Sequence, residues 1–451
     1  MSGRTQPWPV VWACGAAAAL LTGCVTIPDR GRPREGPTSE EVQSRVFAVT
    51  GQPLSPETDL PEAHLTLSQA LEVALAENPA LEEFEANRAA AQAELIAALI
   101  HPNPQAEFGA GWSRSRDPLG ETAREYSVAL SQPLEWPSQR RTRRIAALAG
   151  LDVAEHDAGE LRVRLRADVT KAFWGVLFEE RVLVRAEENA SIAGTLCGLI
   201  ARRVEAGEAA EVEHVRARVE SLRAARLVQA QRRQLAAARA VLNALCGGAL
   251  PRDFALAGDL PRGLPPADGP QAIALALAHH PRLDRLMALR AQREAEVARE
   301  RAVRLPQLTP GVFFDREDDA QTAGATVAVE IPLWDRNQGG IAAAEAALRQ
   351  TEAELAQARV EVERDVRTAL ERYESALDQV AAFESGLRAD AARVLKIEQF
   401  LFEQGEADLL QMLDARRTAQ ETESEFLQAL YDLAVARAEL EQAIGIGGEQ
   451  P

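Results

Sequence analysis

One stretch of the sequence, residues 341–401, repeats an apolar residue at heptad spacing over an unusual length. Two frames of the repeat are joined by one four-residue step between Val362 and Val366. The repeating residues are Ile341, Leu348, Leu355 and Val362, then Val366, Tyr373, Val380, Leu387, Val394 and Leu401. No proline interrupts the stretch, and at 1.5 Å rise per residue such a helix is roughly 90 Å long. The pattern predicts an unbroken coiled-coil rod or a wall element.

Composition and charge favour an elongated helical protein. Alanine, glutamate, arginine and leucine dominate the 451 residues, and aromatic residues make up only 5%. This mixture favours long helices over sheet-rich cores. The formal net charge of −18 argues against a general nucleic-acid binder, because contacts to phosphates need a basic surface.

The N-terminus has the order of a bacterial lipoprotein signal. Arg4 supplies a positive charge, residues 10–21 are apolar but too short to span a bilayer, and the letters LTGC end at Cys24. This resembles a lipobox, so residues 1–23 are predicted to be removed and Cys24 to carry lipid. The residue after the cysteine is Val25 and not an aspartate, which in bacterial lipoproteins usually implies export to the outer membrane. The alternative is a plain secretory signal with an incidental cysteine.

Two further cysteines remain in the mature chain. If the chain reverses near Gly207, Cys197 and Cys246 lie some 40 Å apart on neighbouring helices, because each residue of a helix rises about 1.5 Å. A disulfide needs Cα atoms within about 7 Å. The sequence therefore predicts two free, mostly buried thiols.

From Thr66 onward the sequence contains one unit twice. The letters ALEVALAENP at 70–79 correspond to AIALALAHHP at 272–281, roughly 200 residues later, and Gly207 corresponds to Gly405. Such a period is too long for a solenoid repeat and indicates a duplicated supersecondary unit. The predicted division is a proline-rich tether at 24–63, a first repeat at 64–247, a linker at 248–269, a second repeat at 270–446 and a tail at 447–451.

Each copy has the same predicted order of elements. A pair of shorter helices comes first, over about 66–101 and 270–304, and two strands follow. Two long helices end each copy, and Gly207 or Gly405 forms the turn between them because glycine tolerates φ > 0 at a reversal. The long helices are predicted over about 139–204, 209–246, 338–403 and 407–444.

Strict alternation of apolar and polar residues indicates the strands, which have two unlike faces. They are predicted over about 106–115, 124–134, 307–316 and 323–333. Both pairs of strands end alike, in the letters PLEW (133–136) and PLW (332–334), and a long helix follows Trp136 and Trp334. Tryptophan concentrates at membrane–water interfaces, so both are predicted interface residues; the alternative is ordinary packing at the ends of strands.

Four strands cannot close on themselves. An open sheet edge cannot lie in hydrocarbon, because each unsatisfied amide there costs several kcal/mol. Either the strands form a soluble sheet, or several chains contribute their strands to one barrel. Stretches of about 9–11 residues suit transmembrane strands, and the lipobox already indicates a membrane protein.

The duplicated order, the turns RRVEAG (202–207) and FEQG (402–405) and the two strand-to-helix junctions resemble the TolC-like outer membrane factors. The resemblance implies a mainly α fold with a small transmembrane β part. It implies a homotrimer with a 12-stranded β-barrel continued by an α-helical coiled-coil barrel. It also implies an exit duct, lipid-anchored in the bacterial outer membrane and extending into the periplasm. Its partners are then a periplasmic adaptor and an inner-membrane RND pump.

Three phrases are similar to the heavy-metal, CzcC-like branch of that family: HPNPQAEFG (101–109), SQPLEWPSQRR (131–141) and EAGEAAEVEHVRA (205–217). This resemblance implies efflux of divalent cations such as cobalt, zinc or cadmium. A duct for drug efflux or type I secretion is the alternative. A periplasmic coiled-coil scaffold lipoprotein is the alternative of another class.

The resemblance also implies roles for residues at the helical turns. Arg203, Gly207 and Gly405 match positions where the family meets its adaptor; the alternative is turn glycines without a partner. Asp408 and Asp414 match a cation-selective constriction, in which three carboxylates raise the local cation concentration. The alternative for these aspartates is a solvated helix face, since Gln411 stands where an acidic residue is expected.

No pattern in the sequence indicates catalysis. The sequence has no GxSxG, HExxH or phosphate-loop motif, and its histidines are not grouped with cysteines at zinc spacing. We therefore predict no enzyme activity, no cofactor and no resident metal site, even if metal ions are cargo.

Overall fold

The computed structural model describes residues 64–114, 122–251, 254–262, 268–317 and 320–446. The predicted signal, Cys24, the tether and the tail after residue 446 lie outside the described residues. The described elements, in chain order, are α1 (Leu67–Glu77), α2 (Pro79–Leu99), β1 (Gln105–Arg114), β2 (Thr122–Ser131), α3 (Pro137–Glu205), α4 (Glu211–Leu245), α5 (Gly269–His279), α6 (Pro281–Ala302), β3 (Gln307–Arg316), β4 (Gln321–Glu330), α7 (Gln338–Ala382), α8 (Arg388–Gln404) and α9 (Leu409–Ile444).

The second half repeats the first half element by element. Each copy has two shorter helices, two strands, a long helix and a returning helix, with α7 and α8 together in the place of α3. The mainly α fold with a small β part that the sequence predicts is confirmed. None of the described helices combines the length and the apolar composition needed to cross a membrane.

Equivalent residues begin the second helix of each copy. Asn78 and His280 are the N-caps of α2 and α6, and each accepts a hydrogen bond from the backbone N–H two residues further on. Pro79 and Pro281 then occupy the first helical position, where the missing N–H leaves no partner unsatisfied. These caps end α1 and α5 and fix the bend that joins each pair.

The four strands form one antiparallel sheet in the order β1-β2-β3-β4. Each strand has ten residues, and β2 and β4 end at Ser131 and Glu330, before the predicted ends at 134 and 333. Pro133 and Pro332 explain the difference, because proline cannot donate a hydrogen bond to the ladder.

The register between the strands gives the sheet two faces. Phe108 pairs with Val128, and Val128 pairs with Phe314, so these residues share one face. Over most of its length that face is apolar and open in the single chain: Phe108 is 77% exposed and Trp112 is 82% exposed. At the end nearest the β1–β2 turn it also carries Arg124 and Arg316. The predicted alternation is therefore present in all four strands.

Among the described residues, the buried side chains form three clusters. One joins α1, α3 and α4 of the first copy around Phe173 and Leu242, and a second joins α5, α6, α7 and α9 of the second copy around Phe426 and Leu430. The third lies at the turns of the two long hairpins. Cys246 belongs to the first cluster; it and the half-buried Cys197 are both free, as predicted.

The prediction of an unbroken helix over 338–403 is wrong. A π-helical turn at Phe383–Leu387 separates α7 from α8, and Gly386 within it has φ 150°. The heptad residues before the turn, such as Val366 and Val380, are buried, whereas Leu387 at the end of the turn and Val394 beyond it are about half exposed. The equivalent helix of the first copy, α3, runs for 69 residues without such a turn.

Candidate functional site

Both predicted reversals of the long hairpins occur at glycines in the left-handed conformation. Gly207 has φ 78° and Gly405 has φ 79°. A Cβ added at either glycine would meet no atom within 4 Å, so the backbone angle rather than space requires glycine there. Each turn is closed by a backbone hydrogen bond, from Glu208 to Arg203 and from Glu406 to Leu401.

The two turns pack against each other. Their shared apolar cluster consists of Ile200, Ala217, Phe402, Leu409 and Met412. The guanidinium of Arg203 lies 5.5 Å from the centre of the Phe402 ring, which is within the range of a cation–π contact. Arg203 therefore connects the two copies within one chain. The sequence did not predict this contact with Phe402, since the contact depends on the packing of the two hairpins.

Asp408 is the N-cap of α9. Its carboxylate accepts a hydrogen bond from the Gln411 backbone at 2.8 Å, and the Gln411 side chain accepts one from the Asp408 backbone at 3.1 Å. This reciprocal arrangement is a capping box, and it satisfies two backbone donors that a helix start otherwise leaves unpaired. Glutamine at position 411 is thereby explained, and the exposed carboxylate of Asp408 has a structural role in addition to any electrostatic one.

Asp414 lies further along α9 with an exposed side chain. Six residues separate it from Asp408, which corresponds to about 9 Å along a helix axis. The two carboxylates therefore do not form one cluster within a chain. Arg417 and Glu421 form an ion pair one turn further on, and their contact raises the pKa of the Arg417 guanidinium.

The two tryptophans at the strand-to-helix junctions differ. Trp136 begins α3, and its indole N–H donates to the carbonyl of Pro306 at 2.6 Å. Trp334 is 89% exposed. Beside Trp334, the Asn337 side chain donates to Glu300 at 2.7 Å, and this hydrogen bond lowers the pKa of the Glu300 carboxyl.

The second face of the sheet carries acidic, polar and small residues together with Phe313, and its acidic character was not predicted from the sequence. The register places Glu107, Glu125, Asp315 and Glu330 on this face. Within the four described strands, no lysine or arginine shares it. Glycines lie on it as well, namely Gly109, Gly111, Gly311 and Gly324. The acidic residues of this face could have been predicted from the sequence, because they alternate with apolar residues along the strands.

No three histidine, cysteine or acidic side chains in the described ranges are grouped closely enough to hold a metal ion.

A duplicated unit with four strands that expose an apolar face, continued by long helical hairpins, has the architecture of an outer membrane channel subunit. The chain belongs to the outer membrane efflux protein family, whose model matches residues 70–248 and 272–446. This family consists of transport channels rather than enzymes.

Among curated proteins, the chain is 26% identical over 383 residues to the cobalt-zinc-cadmium resistance protein CzcC of Cupriavidus metallidurans, covering 84% of this chain and 90% of that protein. It is 28% identical over 367 residues to protein CyaE of Bordetella pertussis, covering 76% and 77%. Among solved structures, CusC matches with a TM-score of 0.72 at 19% identity, covering 86% of this chain and 93% of that chain. The likeness to CusC shows the fold.

Proposed function

We propose that this protein is the exit duct of a tripartite efflux system that expels divalent heavy-metal cations. The observation that carries the proposal is the similarity to a cobalt-zinc-cadmium resistance protein along 90% of that protein's length. The acidic face of the sheet supports it, because a passage lined with carboxylates and without lysine or arginine favours cations.

The proposed assembly is a homotrimer. The outer strands β1 and β4 each leave an edge unpaired within one chain, and an unpaired edge cannot lie in lipid. Three chains with four strands each close a 12-stranded barrel, with the apolar face toward lipid and the acidic face toward the lumen. The helices then continue the wall into the periplasm. A lipid on Cys24 anchors the N-terminus in the outer membrane.

At the far end of the helices, the two turns form the proposed contact with a periplasmic adaptor. Arg203, Gly207 and Gly405 lie on or beside these turns. In a trimer, Asp408 and Asp414 each occur three times around the axis and give two rings of carboxylates. An RND pump in the inner membrane supplies the energy, since the duct itself is passive. Trp136 and Trp334 lie at the membrane interface in this arrangement.

The exposed apolar face of the sheet also favours a duct over a periplasmic scaffold. Side chains such as Phe108, Trp112 and Val327 would remain in water in a soluble monomer, and contiguous apolar surface of this kind marks a membrane or protein contact.

The test is the survival of a strain that lacks this protein on graded cobalt, zinc and cadmium, beside a panel of organic drugs. We expect metal sensitivity that the intact gene restores. Sensitivity to drugs alone would contradict the proposed cargo while leaving the duct in place. A Cys24→Ser form that still complements would contradict the need for the lipid anchor.

The proposed constriction is tested in planar bilayers. Asp408→Asn and Asp414→Asn remove the two charges, and asparagine caps a helix about as well as aspartate. We expect a lower preference for cations over anions in the reversal potential. The matched control is Glu421→Gln, which removes a carboxylate that is already paired with Arg417. Unchanged selectivity in both aspartate variants would contradict the constriction.

A further inference from the structure

Five arginines lie at one end of the sheet, where strands and helices meet. Arg140, Arg141 and Arg144 are in the first two turns of α3, Arg304 precedes β3, and Arg336 precedes α7. All are exposed except the half-buried Arg140. Within the described part of the chain, none of these five side chains has an ion pair or a hydrogen bond. We call them the arginine belt.

Hydrogen bonds between the connections place the belt at a single level. The Gln139 side chain donates to the carbonyl of Ala302 at 3.2 Å, and the Asn337 side chain donates to the carbonyl of Glu300 at 3.0 Å. Arg140 and Arg141 directly follow Gln139 along the chain. Arg304 comes two positions after Ala302, and Arg336 directly precedes Asn337. Three of the four connections between sheet and helices therefore contribute arginine to the same band of the surface.

Most acidic side chains in this band already have an ion-pair or hydrogen-bond partner within the chain. Glu135 forms an ion pair with Arg143, and Glu300 accepts hydrogen bonds from Asn337 and Arg299. The connections 131–144, 300–308 and 330–340 contain seven arginines and four acidic residues, in a protein whose net charge is −18. The belt is thus a local positive surface on an acidic molecule.

Exposed apolar residues lie directly on the sheet side of the belt. Leu134, Ile331, Leu333 and Trp334 are all exposed where the strands end. The surface therefore changes from apolar side chains to unpaired arginine side chains. Such a change fits the boundary between the hydrocarbon core of a membrane and its lipid headgroups. One helical turn, about 5 Å, separates Trp136 from Arg140 and Arg141, which is comparable to the thickness of a headgroup layer.

We propose that the arginine belt binds the phosphates of anionic phospholipids in the membrane leaflet that borders the helical part of the protein. Guanidinium groups bind phosphate in a bidentate manner, and basic residues beside a membrane attract anionic lipid. The inference rests on the membrane insertion of the sheet that is proposed above. It adds a preference for one class of lipid, which insertion alone does not require.

The test compares the binding of brominated phosphatidylglycerol and brominated phosphatidylcholine by quenching of tryptophan fluorescence in reconstituted protein. The variant is Arg140→Gln, Arg141→Gln and Arg144→Gln together. We expect the unmodified protein to prefer phosphatidylglycerol on the order of tenfold at low salt, with a smaller preference at high salt. We expect the variant to lose most of this preference.

The matched control is Arg216→Gln, Arg218→Gln and Arg226→Gln on α4, which removes three exposed arginines that also have no ion pair in the described chain. The control should keep the preference. An equal preference in the belt variant and the unmodified protein would overturn the proposal, as would an equal loss in the control. Unchanged lipid preference with altered ion selectivity would place the arginines in the lumen and also overturn it. A protein that fails to enter phosphatidylcholine vesicles at all would instead contradict membrane insertion.

Discussion

The guanidinium of Arg388 lies 3.9 Å from the centre of the Phe426 ring. Phe426 is fully buried, and Arg388 comes directly after the π-helical turn that separates α7 from α8. The same guanidinium donates to both carboxylate oxygens of Glu423, and Arg185 of the first copy also donates to Glu423. The kink is therefore fixed at a point where both copies contact α9.

Replacing Glu423 tests this connection. In Glu423→Gln, both arginines lose a carboxylate partner that is only one-quarter exposed, so we expect the free energy of unfolding to fall by about 1–2 kcal/mol. Denaturant unfolding in detergent measures the change, and amide exchange should quicken around residue 386. Glu421→Gln is the control, because its pair with Arg417 is mostly exposed and should contribute little to stability. Equal losses in the two variants would contradict a special role for Glu423.

Replacing Gly386 tests whether the kink needs glycine. A Cβ is strained at φ 150°, so we expect Gly386→Ala to destabilise the protein by about 1–3 kcal/mol. Gly194→Ala in α3 is the matched control: a Cβ there would meet no atom within 4 Å, and alanine should stabilise the helix by about 0.5–1 kcal/mol. The thermal midpoints of the two variants should move in opposite directions. A stabilised Gly386→Ala would show that the kink is not a requirement of the fold.

Acid should destabilise the protein through His280. Burial, with a smaller effect of Arg282, lowers the pKa of His280, although Glu160, Asp284 and Asp365 act in the opposite direction. The unfolded chain therefore takes up the proton first as the pH falls. The contribution of neutral His280 to the stability of the folded state is complete above about pH 6.5. It is lost as the pH falls through the pKa of His280 in the folded state.

Asn78, the equivalent residue of the first copy, suggests the variant for this test. In His280→Asn the cap can persist without a titrating group, so the thermal midpoint should change less between about pH 8 and 5. His156→Asn removes a histidine whose side chain is 43% exposed, and it serves as the control. An unchanged pH profile in His280→Asn would assign the acid sensitivity to other groups.

The capping box at Asp408 gives a separate prediction about stability. Asp408→Ala should lower the free energy of unfolding by about 1 kcal/mol, whereas Asp408→Asn should change it little. Asp414→Ala should stay within about 0.5 kcal/mol, because the exposed Asp414 carboxylate caps no helix. Urea unfolding of the three variants checks this order, and equal costs for alanine and asparagine at position 408 would contradict the capping role.

The sequence predicted the elements that depend on local patterns. Alternation located all four strands, and the helix reversals fell at Gly207 and Gly405, because periodicity and glycine act within a few residues. The kink was missed because the apolar heptad continues through Gly386, while the contacts that fix the turn come from Glu423 and Phe426. The Arg203–Phe402 contact was missed for the same reason, since its partners are distant in sequence.

The two copies differ in their longest helix, which is continuous in α3 and kinked between α7 and α8. A trimer of duplicated units approximates six-fold rotational symmetry wherever the copies are alike. Beyond the kink this approximation fails, and only the three-fold operation remains. If the proposed tip widens, the three α8–α9 hairpins should therefore move alike. The three α3–α4 hairpins should also move alike, but by a different movement.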